Sequence, residues 1–476
     1  MKNTKYLMLQ DALKKVLTIV LFIFLVRNFS EEEFGTYQQV LLVVSLASIL
    51  FSAGVPVSLT YFYGQYAKYS QRQQIFKRFF IFQLLLLCLG AILLALFAKP
   101  LAELINNPLI EKFIVIILVL FVTTATFEYF KNLSVITGGL KGYLYLTTSI
   151  QLITVLINIF IVIFLDNLAY VLFFSAFSNL LLFLFLLYVN KNSFLLRVNR
   201  GFVSSVEIKY IIAMGSVSLV AVLNGYIDQL MVSFLMDASS FATLKVGAFQ
   251  IPFISIITGS LLTAMIPVIS KLIRSNDTNG VIAVWKESIE KATVLLVPIV
   301  IFCLIYSNEI ILTLFGEKYE DSVIVFQVYM FQWLRAVVIF GGVMGAIGLE
   351  KALFKNTLVT TILNVILNYF LISKYGVIGA AFATTFLNFF GAYLLIKPIN
   401  KRLKVKFSSY FPTKIYITST LLSVGLAFIL KSYNLLFEVN IFSLGIIAIV
   451  FYVLMIIIQM KVFYKNVSLV QLKEMI

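Results

Sequence analysis

Long apolar segments constrain the fold of this chain more than any other feature of its sequence. Hydrophobic residues make up 61% of the chain and charged residues only 12%, whereas soluble domains are about 45–50% apolar and about 25% charged. A helix that crosses a bilayer needs about 20 mostly apolar residues. The segments therefore predict fourteen membrane-spanning helices, at 7–27, 38–58, 79–98, 113–133, 145–165, 168–189, 209–235, 246–270, 293–315, 323–347, 355–373, 377–397, 413–430 and 441–460.

Two copies of one six-span unit make up most of the sequence. The segment Phe127–Lys131 is echoed by Phe331–Arg335, and further along Asn158 is echoed by Asn368. Duplicated sets of spanning helices are typical of transporters, whose substrate path lies between the copies. Because six is an even number, both copies have the same orientation, and they are parallel repeats related by an axis along the membrane normal.

The distribution of basic residues sets the predicted topology. With the N-terminus inside, most lysines and arginines fall in inside loops, whereas acidic runs such as Glu31–Glu33 fall outside, which is the positive-inside pattern. The longest inside loops, near 190–208 and 398–412, end the two repeats. We predict an all-α polytopic membrane protein with both termini cytoplasmic. Its parts are an N-lobe at 1–200 with spans 1–6, a C-lobe at 201–405 with spans 7–12, and a helical pair at 406–476 with spans 13–14.

Composition argues against several functions. The net charge of +16 is distributed between apolar segments and is not interleaved with aromatic residues on a polar scaffold, so nucleic acid is not an expected partner. The chain has no histidine, and Cys88 and Cys303 both lie inside apolar segments, so we expect no metal site and no disulfide framework. The first apolar segment continues into a full span and is expected to stay uncleaved.

Several local patterns resemble those of one family of membrane proteins. The patterns are Arg27–Tyr37 (RNFSEEEFGTY), Gly54-Val55-Pro56, Asp228, Leu314–Tyr319 (LFGEKY), and Asn364 and Asn368 followed by 375–381. They are similar to patterns of bacterial polysaccharide flippases of the Wzx type, the O-antigen flippases, in the multidrug/oligosaccharidyl-lipid/polysaccharide exporter superfamily. The resemblance covers nearly the whole chain in the number and order of spans and in loop length.

This resemblance implies two six-helix bundles that form a V-shaped, centrally open chamber and work by alternating access. It implies a lipid-linked substrate, an oligosaccharide repeat unit on undecaprenyl pyrophosphate, moved to the outer leaflet of the bacterial cytoplasmic (inner) membrane for O-antigen, capsule or exopolysaccharide synthesis. Membrane lipids, a polysaccharide polymerase and chain-length machinery are candidate partners. The last two spans match the helices that form a lipid-tail groove in lipid II flippases. No cofactor is expected, and an H⁺ or Na⁺ gradient or the membrane potential is a candidate energy source for transport.

Basic residues in span 1 are candidates to contact the pyrophosphate. A charged side chain at the membrane centre costs at least about 2.5–3.5 kcal/mol and needs a cavity or a partner. Lys14 and Lys15 lie three and four residues after Asp11, which can partly neutralise them, and Arg27 lies at the outer end of the same span. The alternative is that these side chains only anchor the ends of the helix at the interface.

Lys131 and Arg335 occupy equivalent positions in the two repeats. At matching depth in the two lobes, they are predicted to form a paired cationic clamp on the pyrophosphate, in which the guanidinium binds phosphate oxygens bidentately. The alternative is that each side chain extends independently from a helix end to the interface. Glu128 lies three residues before Lys131, on the same helix face.

Carboxylates inside the spans are candidates for ion coupling or gating. Because the chain has no histidine, any proton coupling would depend on Asp11, Glu128 or Asp228. The alternative for Asp228 is an acid at the outer end of a helix.

Four amides lie inside predicted spans, at Asn158, Asn224, Asn364 and Asn368. Amide side chains in membranes form hydrogen bonds between helices, worth roughly 0.6–2 kcal/mol, and we expect this role here. Contact with sugar hydroxyls is the alternative.

Two other functions remain open from the sequence. One is a multidrug/cation antiporter of the same superfamily, although such proteins typically have twelve spans and acidic chambers. The other is a membrane enzyme such as a glycan polymerase or acyltransferase, which would usually need an acid and a base on a substantial loop. The chain has no histidine and no loop long enough for a soluble domain, so we expect a transporter that makes and breaks no bond.

Overall fold

Helices make up nearly all of the chain in its computed structural model. The structure describes residues 2–463 apart from 53, 67, 192–202 and 435–440, and this part of the chain contains no β-strand. The chain divides into two compact units, Met1–Ala242 and Thr243–Ile476.

The N-terminal unit consists of long helices joined by short turns. Its helices are α1 (Lys2–Asn28), α2 (Glu31–Ser52), α3 (Val55–Gln65), α4 (Tyr69–Leu96), α5 (Ala98–Leu104), α6 (Leu109–Lys112), α7 (Ile114–Thr137), α8 (Leu140–Phe164), α9 (Leu168–Val189), α10 (Ser205–Leu235) and the first half of α11 (Ala238–Gly247). Helix α1 packs on α8, while α7 packs on both α2 and α9. These five helices, α1, α2, α7, α8 and α9, surround the cavity described below.

The conspicuous segment Arg27–Tyr37 forms the turn after α1 and the start of α2. Ser30 and Glu33 form a capping box, in which the Glu33 amide donates to Ser30 Oγ at 3.2 Å and the Ser30 amide donates to Glu33 Oε2 at 3.1 Å. These bonds satisfy two amides that the start of a helix leaves without partners. Phe34 packs edge-on against Phe22 of α1, with ring centroids 5.1 Å apart.

Helix α10 packs against α2 and α3, and two glycines allow close approach of the backbones, Gly54 to α10 and Gly35 to the start of α11. A Cβ atom on Gly35 would lie 1.8 Å from the carbonyl oxygen of Ala238, and one on Gly54 would lie 2.2 Å from that of Ile211. Gly54 also has a left-handed backbone, with φ of 87°, which glycine adopts without strain. The boundary between the compact units thus falls after α10, while the predicted lobes, which follow the sequence repeat, stay a prediction.

The start of α10 is joined to α4 by a buried ion pair. Arg78 Nη2 lies 2.6 Å from Glu207 Oε1, and the two side chains are only 10% and 7% exposed. Glu207 also caps α10, because its Oε2 accepts a hydrogen bond from the Ser204 amide at 2.7 Å. One carboxylate therefore both starts the helix and holds it against the rest of the N-terminal unit.

The C-terminal unit is built around one long helix, α13. Its other helices and the two 3₁₀ turns are α12 (Pro252–Arg274), α13 (Thr278–Ile305), α14 (Ser307–Phe315), Glu317–Tyr319, α15 (Ser322–Phe331), Gln332–Val338, α16 (Phe340–Ala346), α17 (Glu350–Leu403), α18 (Phe407–Tyr410), α19 (Thr413–Asn434) and α20 (Ile441–Phe463). Helix α13 packs on α12, α19 and α20. Its Trp285 stacks on Tyr410 with ring centroids 4.3 Å apart.

In the described residues, eleven helices are long and apolar enough to span a membrane, or twelve with the bent α10. The difference from fourteen predicted spans arises at two places. Helix α1 covers the span predicted at 7–27 but is not among the eleven, and α17 covers two predicted spans in 54 residues interrupted at Gly376, with φ of 60° and ψ of −142°. About 20 residues suffice for one crossing, so α17 is long enough for two. The fourteen-span topology and the cytoplasmic termini stay predictions.

Candidate binding cavity

A cavity of about 500 Å³ lies within the N-terminal unit. Its walls are formed by α1, α2, α7, α8 and α9. The volume falls in the range of about 300–1,000 Å³ that is usual for ligand pockets. Aliphatic and aromatic side chains make up part of the lining, and lysine, glutamate, amide and hydroxyl groups make up the rest.

Two lysines and one glutamate give the cavity its charge. Lys14 of α1 lines it together with Glu128 and Lys131 of α7. Lys131 Nζ lies 3.6 Å from Glu128 Oε1, and the two side chains are 39% and 60% exposed. An ion pair so exposed contributes about 0–1 kcal/mol, so Lys131 can exchange Glu128 for another anion at little cost. The two lysines outnumber the one glutamate, and this excess positive charge favours an anionic ligand.

Uncharged polar side chains line the cavity from α8 and α9. We call five of them the polar seam: Gln151, Thr154 and Asn158 of α8 and Ser175 and Asn179 of α9. Spacings of three and four residues place the members of each helix on one face. Asn158 Nδ2 donates a hydrogen bond to Ser175 Oγ at 2.8 Å, which joins the two helices.

Asn158 is the most enclosed residue of the polar seam. It is 1% exposed, and its Oδ1 accepts no hydrogen bond from the part of the chain that the structure describes. A buried polar atom left without a hydrogen bond costs about 1–3 kcal/mol, so such atoms are uncommon in native proteins. Because Asn158 lines the cavity, its Oδ1 can accept a hydrogen bond from a group bound there.

The structure brings only some of the predicted residues of span 1 and span 4 into this cavity. Lys14, Glu128 and Lys131 line it, whereas Lys15 and Arg27 are exposed residues of α1 that do not. Asp11 lies in α1, and its side chain is outside the described part of the chain.

Arg335 lies in the C-terminal unit, on the 3₁₀ segment Gln332–Val338 and not on a regular helix. The hydroxyl of Tyr416 donates to the Leu334 carbonyl at 3.1 Å, and this bond holds the irregular segment against α19. Arg335 is half-buried, and its Nε makes no hydrogen bond with the described residues. The clamp that pairs Arg335 with Lys131 stays a prediction.

Asn364 and Asn368 connect the two parts of α17 that flank Gly376. Asn368 Nδ2 donates to Asn364 Oδ1 at 2.7 Å, and Asn364 Nδ2 donates to Thr384 Oγ1 at 3.2 Å. Both asparagines are buried. In the C-terminal unit these amides therefore form contacts within the helical bundle.

Asn224 and Asp228 lie on α10, shortly after a bend of 50° between Val220 and Val222. Both residues are half-buried, and both interact with other groups of the protein. Interrupted spanning helices often line substrate or ion sites in transporters. The roles of Asn224 and Asp228 in gating or helix contact stay predictions.

Asn158 was predicted from the sequence as a polar site residue, whereas the other four members of the polar seam were not. A signal was present, because Gln151, Thr154 and Asn158 are spaced three and four residues apart in an apolar segment, and Ser175 and Asn179 are spaced four apart. A polar stripe of this kind marks one face of a helix. The sequence does not show that the two stripes lie side by side, since this depends on the packing of α8 on α9.

Comparison with known sequences gives one family match. The profile of a family described as "Polysaccharide biosynthesis protein" matches residues 24–324, which is more than half of the 476 residues. No curated protein sequence matches the chain at a significant level.

Solved transporter structures share the fold of this chain. Lipid II flippase MurJ in an inward closed conformation has a TM-score of 0.74 at 16% identity, over 96% of this chain and 98% of MurJ. An inward-facing multidrug resistance MATE family transporter of the MOP superfamily has a TM-score of 0.61 at 12% identity, over 82% of this chain and 94% of that one. A point mutant of the Vibrio cholerae MATE transporter VcmN has a TM-score of 0.52 at 13% identity, over 84% of this chain and 98% of that one.

These matches confirm the resemblance found in the sequence. The fold is that of MurJ and the MATE transporters, and the match over 24–324 identifies the family. This chain is therefore a multi-pass membrane protein with a transporter fold, and it belongs to the polysaccharide biosynthesis protein family.

Proposed function

We propose that this protein is a flippase for undecaprenyl-pyrophosphate-linked oligosaccharide repeat units. It moves them from the cytoplasmic to the outer leaflet of a bacterial cytoplasmic membrane by alternating access, for the synthesis of a surface polysaccharide. One observation carries the proposal. The cavity of the N-terminal unit places Lys14 and Lys131 on a wall that also carries apolar and uncharged polar side chains, and the two lysines match the phosphates of such a head group. The family match supports the same role.

The physical task is to carry a charged, hydroxyl-rich head group across about 30 Å of hydrocarbon. An isolated ion in a medium of low dielectric constant costs tens of kcal/mol relative to water. A hydrated cavity with lysines on its wall removes most of this cost, while the prenyl tail stays in the lipid. The protein makes and breaks no bond, so it needs only two accessible states and a bias from an H⁺ or Na⁺ gradient or the membrane potential.

The two lysines and the glutamate have distinct roles in this proposal. Lys14 and Lys131 contact the pyrophosphate, and Glu128 holds Lys131 at 3.6 Å until the phosphate replaces it. Glu128 is a candidate for ion coupling, because protonation of its carboxylate would release Lys131.

The proposal is tested by flipping in liposomes that contain the purified full-length chain. A fluorescent prenyl pyrophosphate that carries a disaccharide is added, and its transfer is followed with a reagent that cannot cross the membrane. A hydrogen bond to a charged group contributes about 1.5–3 kcal/mol, and about 1.4 kcal/mol corresponds to tenfold. Replacing both Lys14 and Lys131 with Ala is therefore expected to slow flipping at least about tenfold.

The matched control is Lys15→Ala, which removes the same charge at the neighbouring position, outside the cavity lining. This variant is expected to flip at the wild-type rate. A Lys14→Ala/Lys131→Ala variant that folds normally and flips at the wild-type rate would show that the lysines do not carry the substrate. Arg335→Ala, measured in parallel, tests the clamp.

A multidrug/cation antiporter is the second candidate, and the Glu128 carboxylate in the cavity favours it. The two lysines beside it are unfavourable for an organic cation. In the same liposomes, ethidium movement driven by a proton or sodium gradient, without movement of the prenyl pyrophosphate lipid, would decide for the antiporter.

A further inference from the structure

The polar seam contains a buried hydrogen-bond acceptor that the described part of the protein does not use. The Nδ2 atom of Asn158 is held by Ser175 at 2.8 Å, which fixes the orientation of the amide. The Oδ1 atom of the same amide accepts no hydrogen bond from the described residues, although Asn158 is only 1% exposed. Since Asn158 lines the cavity, a molecule that occupies the cavity can supply the donor that this oxygen needs.

Only a hydrogen-bond donor of the substrate can bind to the unused acceptor Asn158 Oδ1. Ionised phosphate carries acceptors only, so the pyrophosphate cannot bond to Asn158 Oδ1 and belongs with the lysines. A sugar hydroxyl both donates and accepts. It can donate to Asn158 Oδ1 and accept from the amide of Gln151 or Asn179. The members of the polar seam are all uncharged, which suits a neutral sugar.

Aromatic side chains of the same cavity offer surface for the apolar faces of a sugar ring. Tyr37, Phe127 and Tyr143 all line it. The Tyr143 hydroxyl donates to the Phe127 carbonyl at 2.9 Å, which holds the tyrosine ring in place. A cavity of about 500 Å³ accommodates a short portion of a glycan and not a long chain.

The second repeat shows the same pattern of amides in different surroundings. Asn368 is the predicted repeat counterpart of Asn158, and its amide donates to Asn364 Oδ1 at 2.7 Å. Asn364 in turn donates to Thr384 at 3.2 Å. The amides of the C-terminal unit thus bond to side chains of their own helix α17, whereas Asn158 bonds to a neighbouring helix and lines the cavity of the N-terminal unit. Of these two counterparts, Asn158 is therefore the one placed to meet a ligand of that cavity.

We propose that the polar seam is a subsite for a neutral sugar of the substrate, in which a sugar hydroxyl donates to Asn158 Oδ1 while Lys14 and Lys131 hold the pyrophosphate. The subsite rests on the proposed flippase function and names the part of the head group that this wall of the cavity recognises. Selection at this position is by hydrogen bonding, so it depends on the sugar and not on the charge of the lipid.

The test compares two kinds of lipid on the full-length protein in nanodiscs. One is bare prenyl pyrophosphate, and the other is the same lipid carrying a single glucose, galactose or N-acetylglucosamine. The measured quantity is the ratio of the two dissociation constants. In the wild-type protein at least one of the sugars is expected to tighten binding about tenfold, which corresponds to about 1.4 kcal/mol.

Asn158→Leu is expected to bring this ratio close to one while the affinity for bare prenyl pyrophosphate stays unchanged. Asn179→Leu, on the neighbouring helix α9 and half-buried, is the second variant, which keeps the test available if Asn158→Leu fails to fold. It is also expected to reduce the ratio. Asn132→Leu is the matched control, because its amide donates to the Glu128 carbonyl of its own helix and does not line the cavity.

Distinct results would overturn the subsite and the proposed function. If no sugar changes the wild-type affinity, or if the seam variants keep the wild-type ratio, the subsite is wrong while the flippase proposal stands. The affinities are also measured with choline in place of Na⁺. If Asn158→Leu changes lipid affinity in Na⁺ but changes it for none of the lipids in choline, the seam holds a cation and the sugar subsite is wrong. If the wild-type protein binds none of these lipids, the proposed function itself fails.

Discussion

The buried ion pair between α4 and α10 allows the effect of one substitution on stability to be worked out. Arg78 Nη2 lies 2.6 Å from Glu207 Oε1, with side chains 10% and 7% exposed. Arg78→Met leaves the carboxylate buried without its cation, and removing one partner of a buried pair costs about 3–5 kcal/mol. Glu207 keeps the hydrogen bond from the Ser204 amide at 2.7 Å, so we expect a loss at the lower end, about 3 kcal/mol.

The assay is thermal unfolding of the purified full-length protein in detergent. A loss of about 1 kcal/mol lowers the midpoint by about 2–4 °C for folding units of about 150–250 residues, so Arg78→Met is expected to lower it by roughly 6–12 °C. Adding Glu207→Gln removes the unpaired charge and is expected to recover part of the loss. Lys291→Met breaks a more exposed ion pair with Glu287 and is expected to change stability by less than about 1 kcal/mol. A wild-type midpoint in Arg78→Met, or a double variant less stable than the single one, would refute the reasoning.

Two further predictions concern the turn between α10 and α11 and its contact with α2. Gly35→Ala is expected to lower the unfolding midpoint, because its Cβ would lie 1.8 Å from the Ala238 carbonyl oxygen and overpacking costs about 1–3 kcal/mol. Gly64→Ala, with nothing within 4 Å of its Cβ, is the control, and equal midpoints in both variants would contradict the close approach. Hydrogen bonds from Ser240 lower the pKa of Asp237 in the folded protein. The ionised carboxylate therefore stabilises the fold at pH values above the pKa of Asp in the unfolded chain, about 4. This stabilisation is lost as pH falls through the lowered pKa of the folded state. The stability of the wild type relative to Asp237→Asn, followed by thermal unfolding, is expected to be constant down to about pH 4 and to decline below it; a difference that stays constant under more acidic conditions would contradict this assignment.

The segment Arg27–Tyr37 shows how far local sequence reaches. The spacing of Ser30 and Glu33 is that of a capping box, and such a pattern can be read without a structure because both partners lie within one helical turn. The function of Gly35 cannot be read in the same way. Its close neighbour is Ala238, and nothing in the local sequence indicates which distant helix will pack there.

Span prediction shows the same division. The apolar segments of the sequence fall mostly in helices, because apolar length is a property of one segment, whatever its neighbours are; several predicted spans, such as 38–58 and 293–315, nevertheless cross a break between two helices. Whether a span is a continuous α-helix is harder to predict from its sequence. The predicted span at 323–347 contains the 3₁₀ segment Gln332–Val338 with Arg335, and this departure is held by contacts from elsewhere, such as the hydrogen bond from Tyr416 to the Leu334 carbonyl.

The sequence by itself determined that this chain is a helical membrane protein, because apolar segments of bilayer length leave the backbone few alternatives to helices. Only the tertiary structure decided which polar residues serve a cavity. Lys14 and Lys131 line it and Lys15 does not, although all three met the same sequence criterion. Asn158 and Asn368 are predicted repeat counterparts, yet one lines a cavity and the other donates to Asn364 within its own helix. The physical reason is that a hydrogen bond or a cavity wall is set by which helices are neighbours, and that is decided by packing.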